Sequence, residues 1–143
     1  MNVRPFKAEH LLGMQLQRAQ DGSKPFITEE YAKMLEGQFA FTAMTDDEEV
    51  VAVGGLTELW ANRALAWTFI DSRAGRHFVA LHKIVKDLLD IVPYRRIEAE
   101  TSCEFGPGHR WLKMLGFQIE AERMRAFQVD GGDSSLYARV KNV

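Results

Sequence analysis

The chain has 143 residues, 46% of them apolar, with four prolines, enough for one packed core and too few for two independent domains to be expected. Eighteen Lys and Arg stand against 20 Asp and Glu, a formal net charge of −2, so no overall field draws the chain to nucleic acid or an anionic membrane, and any anion site must be local. Cys103 is the only cysteine, which excludes an intrachain disulfide and a zinc site of two or four cysteines. No window approaches the roughly 18 apolar residues of a membrane span, and Met1-Asn2-Val3-Arg4-Pro5 lacks the apolar core of a signal peptide. A cytoplasmic, reducing setting without nucleic-acid or membrane partners is expected.

Asn2 to Pro5 reads as an opening strand, and residues 8–19 place Leu11, Leu12, Met14, Leu16 and Ala19 on one helix face until Gly22 and Pro25 stop it. Thr28 then serves as N-cap, with Glu29 and Glu30 placed for the helix dipole, and this second helix is expected to end at Gly37. Residues 38–44 form a strand that turns through Thr45-Asp46-Asp47-Glu48-Glu49 into the β-branched run Val50, Val51, Val53. Residues 50–59 and 64–70 make a second hairpin around Trp60-Ala61-Asn62-Arg63, and Gly54-Gly55 suggests a bulge.

The turn 71–77 leads into residues 78–89, where Phe78, Leu81, Ile84, Val85, Leu88 and Leu89 share one face of the strongest helix in the chain, which Pro93 ends. A strand over 96–100 follows, then a helix that starts near Pro107 and closes at Gly116. Two strands, 117–127 and 134–140, are joined across Gly131-Gly132. The order is β-α-α-β-β-β-α-β-α-β-β, a single mixed α/β domain over residues 1–143 without repeats or a linker.

The strand Val50-Val51-Ala52-Val53-Gly54-Gly55-Leu56, the turn after it and Leu65-Ala66-Trp67-Thr68-Phe69-Ile70 resemble the central hairpin of the GNAT family of acetyl-CoA-dependent N-acyltransferases. Gly108-His109-Arg110-Trp111-Leu112-Lys113-Met114-Leu115-Gly116-Phe117 resembles that family's last helix and its closing Gly-Phe. The resemblance covers nearly the whole chain and implies a central, mainly antiparallel sheet flanked by helices. It also implies acetyl-CoA or a related acyl-CoA as cofactor, with direct acyl transfer to the amine of a small molecule or peptide. The backbone of Thr68, Phe69 and Ile70 would face the pantetheine arm and supply an oxyanion donor. The turn Ser72, Arg73, Ala74, Gly75, Arg76 and His77 would face the pyrophosphate.

Three features depart from the family. Its turn reads Arg/Gln-x-x-Gly-x-Gly/Ala, and with Gly75 as first small residue His77 holds the second place and Ser72 the basic one, whereas with Gly75 as the second, Arg73 replaces the first. Neither register preserves the motif, so direct charge from Arg73, Arg76 and His77 would have to assist the free N–H groups of the helix start. The family's Asn aligns with Phe105, and the Tyr that protonates the leaving thiolate aligns with Leu112. The broken turn, the 109–113 segment and the small size also resemble GNAT-like proteins of tailed bacteriophages, which implies a second reading: a non-catalytic interaction or assembly protein with a virion partner, in host cytoplasm.

For a general base, Glu58, Asp71, Glu98, Glu100 and Glu104 are open, with Glu98 and Glu100 on one strand face and either exposed or approaching the cleft. Glu100, Cys103 and His109 are the catalytic candidates: a carboxylate to take the amine proton, a thiol near the expected thioester, and an imidazole of accessible pKa. Each also has a plain structural role, as exposed carboxylate, small packing residue or hydrogen-bonded histidine. Trp60, Trp67 and Trp111 are expected in the core, and Arg123, Arg125, Arg139 and Lys141 form a solvated basic face.

Overall fold

Residues 8–19 do not form one helix. In a computed structural model, which describes residues 1–37 and 39–141, β1 (Asn2–Pro5) is followed by α1 (Ala8–Leu12), which Gly13 caps. The chain then extends, because the Gln15 carbonyl accepts the Ser72 N–H at 2.7 Å and the Gln17 N–H donates to the Ile70 carbonyl at 2.8 Å. Backbone groups committed to another segment cannot continue a helix, so tertiary pairing overrides the apolar periodicity. A 3₁₀ segment, Arg18–Phe26, follows. The Thr28 hydroxyl accepts the Tyr31 N–H at 3.1 Å and starts α2 (Glu29–Met34), three residues shorter than the expected end at Gly37. The strand start expected at Gln38 lies outside the described residues.

Next come β2 (Ala40–Met44), β3 (Val50–Trp60) and β4 (Arg63–Ile70). The bulge in β3 falls at Val51, where the register passes from Ala43↔Ala52 to Met44↔Val50, and Gly54 and Gly55 stay in step with Phe41 and Ala40. These glycines serve close approach instead: a Cβ on Gly55 would sit 2.4 Å from the Phe39 carbonyl oxygen. The remaining elements are α3 (Phe78–Ile91), β5 (Arg96–Ser102), α4 (Gly106–Met114), β6 (Gln118–Met124) and β7 (Ser134–Val140). Gly116, at φ +93, takes the left-handed position just past α4.

The strands form one seven-stranded mixed sheet in the order β1-β2-β3-β4-β5-β7-β6, flanked by the helices. β4 and β5 are parallel through Arg63↔Arg96, Ala64↔Ile97 and Leu65↔Glu98, whereas β1–β2, β2–β3, β5–β7 and β6–β7 are antiparallel. By packing, the chain divides into Met1–Thr57 with Trp67–Val85 and Glu58–Ala66 with Lys86–Val143. The first unit buries Phe6, Leu11, Met14, Leu16, Ala32, Val53 and Phe69, with the Trp67 ring edge-on to Phe6 at 5.4 Å. The second buries Ile97, Leu112, Leu115, Phe117 and Tyr137. Trp60 is not a core residue; it is 57% exposed, with the Arg63 guanidinium stacked 4.8 Å over its ring.

Candidate functional site

At the end of β4, the Asp71 N–H donates to the Val51 carbonyl of β3 at 2.9 Å. Strand backbone groups alternate in direction, so Thr68 and Ile70 present theirs to the opposite edge. There the Gln20 side chain meets them: its Nε2 donates to the Thr68 carbonyl at 2.8 Å and its Oε1 accepts the Ile70 N–H at 3.0 Å. The Gln17 side chain donates to the same Oε1 at 3.2 Å, and the Leu16–Asp71 bridge closes the edge beyond Ile70. The strand groups expected to face a cofactor are thus engaged by the chain's own residues 15–20. Phe69 turns its ring into the core of the first unit.

The turn after β4 is organised by Asp71, which is 2% exposed. Its carboxylate accepts the Arg73 N–H at 2.9 Å, the Arg73 guanidinium at 2.8 and 3.1 Å, and the Gln15 N–H at 3.3 Å. The Arg73 guanidinium holds this carboxyl below the usual aspartate range, against the opposing effect of burial. The Ala74 N–H donates to the Asp71 carbonyl and the His77 N–H to the Ala74 carbonyl, and Gly75–His77 forms a 3₁₀ turn before α3. Several donors that a phosphate would use are therefore already paired. Arg73, Arg76 and His77 line a cleft of about 390 Å³, together with Met1, Thr45, Asp46, Asp47 and Glu49. The sequence-predicted turn does border a cleft, and the carboxylates of the 45–49 turn offset its positive charge.

In the second unit, Glu98 is 5% exposed, not a solvated strand carboxylate. Arg63 and Arg96 donate to it at 2.5 to 2.9 Å, and the Arg63 guanidinium leads in holding its carboxyl down at about 2. Such a group is a poor proton acceptor near neutral pH. Glu58 accepts the Tyr94 hydroxyl at 2.9 Å and Glu104 pairs with Arg123 at 3.3 Å. Glu100 is exposed, and its partner is a hydroxyl, that of Ser134, rather than an arginine.

Cys103 is half-buried, its Sγ 3.4 Å from the Glu122 carbonyl oxygen and 3.5 Å from Ser135 Oγ. His109 Nε2 lies 3.1 Å from the Cys103 carbonyl oxygen, which only accepts, so Nε2 carries a hydrogen. In the neutral ring Nδ1 is then the acceptor for the Tyr137 hydroxyl at 2.6 Å. Tyr137 is 1% exposed, and burial raises its pKa. The cysteine, histidine and tyrosine thus form one hydrogen-bonded group within the second unit, and Leu112, where the family's Tyr would stand, is buried. Of the expected basic face, Arg125 is exposed, whereas Arg123 pairs with Asp133 and Glu104, Arg139 with Asp90 and two carbonyls, and Lys141 with the Val92 carbonyl. Among the described residues no group of His, Cys, Asp and Glu is arranged to hold a metal, and no helix is long and apolar enough to cross a membrane.

Two participants were missed in the sequence. Gln20 lies in a polar stretch that reads as the frayed end of a helix, and nothing local marks it. Tyr137 carried a signal, as an aromatic at an inward strand position two residues from Ser135.

No family model matches the chain, and no curated protein does. Solved structures do match it. The structure of Ard1 from Thermoplasma volcanium shares 18% identity at a TM-score of 0.78, over 99% of this chain and 98% of that one. An acetyltransferase (GNAT family) from Bacillus anthracis gives 15% identity and 0.66, over 96% and 93%. The ribosomal-protein-S18-alanine N-acetyltransferase from Escherichia coli gives 13% and 0.69, over 99% and 94%. The chain has the GNAT fold. An acyl-CoA is the cofactor that the GNAT fold implies, and Gln20 tests the fit: the Thr68 carbonyl and Ile70 N–H form an acceptor and donor pair that already receives an amide. The pantetheine arm carries amides, so the donor set suits it once Gln20 is withdrawn.

Proposed function

We propose that the chain is an N-acyltransferase that takes an acyl group from acetyl-CoA or a related acyl-CoA and gives it directly to an amine on a small molecule or peptide. The observation that carries this reading is the amide-binding edge of β4 at Thr68 and Ile70, within the GNAT fold. When bound, the acyl-CoA supplies an activated thioester. The chain's own residues then have separable tasks. Thr68 and Ile70 orient an amide of the arm, and Arg73 with Arg76 adds positive charge toward its phosphates.

Glu100, held by the Ser134 hydroxyl and free of an arginine partner, is the carboxylate assigned to take a proton from the amine. His109 has both ring nitrogens engaged, Nε2 on the Cys103 carbonyl and Nδ1 on the Tyr137 hydroxyl, and is assigned to hold the turn after β5 in place rather than to exchange a proton. Cys103 packs and does not carry the acyl group, because positioning donor and acceptor together suffices for direct transfer.

The test is incubation of the chain with acetyl-CoA and a panel of primary amines and N-terminal peptides, following free thiol and the mass of each amine. Stoichiometric thiol release and acetylation of at least one amine are expected, with Arg76→Ala, which leaves the Asp71–Arg73 pair intact, raising the KM for acetyl-CoA while the fold persists. Absence of both thiol release and acetyl-CoA binding would refute the reading.

A further inference from the structure

The hydrogen bonds that residues 15–20 make to β4 form a two-point match. Gln20 presents a donor and an acceptor on one planar amide, and both are used: Nε2 on the Thr68 carbonyl, Oε1 on the Ile70 N–H. A secondary amide of an extended ligand lying along the same edge would need these two groups in the same roles. Gln17 then contributes twice, with its N–H on the Ile70 carbonyl and its side chain steadying the Gln20 oxygen. Both residues lie between α1 and α2, Gln17 at the end of the extended stretch that pairs with the strand and Gln20 in the first turn of the 3₁₀ segment that follows. Gln17 and Gln20 are half-buried at this edge, whereas Leu16 beside them belongs to the core of the first unit, so the polar contacts are the part of the segment that can exchange without unpacking it.

We propose that Gln17 and Gln20 are an intramolecular competitor for the β4 edge, with Gln20 standing where an amide of the ligand must bind, so that the edge is closed until these two residues are displaced while Leu16 keeps its place in the core. The proposal rests on the acyl-CoA reading above, and it adds a gate to that site. Displacement costs the hydrogen bonds of Gln17 and Gln20, and the ligand regains only part of them as new contacts. Removing the competitor therefore tightens ligand binding.

The probe is desulfo-CoA, titrated calorimetrically into the unmodified chain, Gln20→Ala and Gln17→Pro. Proline is compatible at position 17, where φ is −57°, and it deletes the N–H that binds Ile70. Two hydrogen bonds of ordinary net strength correspond to a gain in affinity on the order of tenfold in Gln20→Ala, and Gln17→Pro should show a smaller gain. A second readout needs no variant: with desulfo-CoA bound to the unmodified chain, amide exchange should quicken at Gln17 and stay slow at Ile70, whose N–H changes partner without losing one.

Tighter binding in the variants, including binding by the variants alone, supports the gate. Equal or weaker binding in Gln20→Ala, or unchanged exchange at Gln17 on saturation, overturns the gate and leaves the acyl-CoA reading standing. No binding by any of the three proteins at millimolar desulfo-CoA overturns both.

Discussion

Glu98→Gln isolates the charge of a side chain that the structure surrounds. The glutamate is 6% exposed at its side chain, with Arg63 Nε at 2.5 Å and Arg96 Nε at 2.6 Å on one oxygen and Arg63 Nη2 at 2.9 Å on the other. Its carboxyl is held at about 2, against 4.5 for an unpaired glutamate. Each tenfold change in proton affinity is worth about 1.4 kcal/mol, so the ionised form contributes about 3 kcal/mol at neutral pH. Both arginines are about a third exposed and regain some water when the charge is removed. The expected loss in Glu98→Gln is then about 2 kcal/mol. Because the folded pKa is depressed, this contribution is complete above about pH 4.5 and is lost as pH falls toward 2. Urea denaturation of both proteins at pH 7 and at successively lower pH should show the gap at its widest at pH 7 and narrowing below 4.5. A loss under about 0.5 kcal/mol at pH 7, or one that does not change with pH, would refute the assignment of Glu98 to the ion-pair network.

His10 Nδ1 accepts the Lys7 N–H at 3.2 Å and lies 2.7 Å from Thr42 Oγ1, and burial lowers its pKa from 6.5. Stability is expected to fall as pH drops below 6.5 through the lowered folded value, and His10→Gln should flatten that part of a denaturation–pH curve. A Cβ on Gly108 would stand 2.1 Å from Thr101 Oγ1; Gly108→Ala is expected to cost about 1–3 kcal/mol, and adding Thr101→Ala should recover most of it in urea titrations. Cys103→Ser and Cys103→Ala should each retain most transfer activity, and intact-protein mass spectrometry of the unmodified chain with acetyl-CoA should find no acylated Cys103.

The elements that could be read in the sequence are those whose signals are local. Phe78–Ile91 and Gly106–Met114 have one apolar face each and a Pro or Gly at the boundary, and Ser134–Val140 begins and ends where its alternation does. Residues 13–19 differ for the opposite reason: their apolar spacing is helical, but the backbone of Gln15 and Gln17 bonds to Ser72 and Ile70, more than 50 positions away. The bulge was assigned to the glycines, although its cause is register against β2, a property of two strands together. The candidate site divides in the same way. Its turn borders a cleft as expected from its place between strand and helix, whereas the pairing of Asp71 with Arg73 and of Gln20 with the strand edge depends on folded distances that no spacing rule contains.

Acyl-CoA binding at the β4 edge is tested most directly by titrating the unmodified chain with acetyl-CoA at low and at moderate ionic strength, followed by the heat evolved and by the chemical shift of the Ile70 backbone amide. Saturable one-to-one binding that weakens with salt is expected, because phosphate pairing contributes, with a shift at Ile70 as its N–H passes from Gln20 to the ligand. Saturable binding that leaves Ile70 unmoved, or no heat at millimolar acetyl-CoA, would contradict binding at this edge.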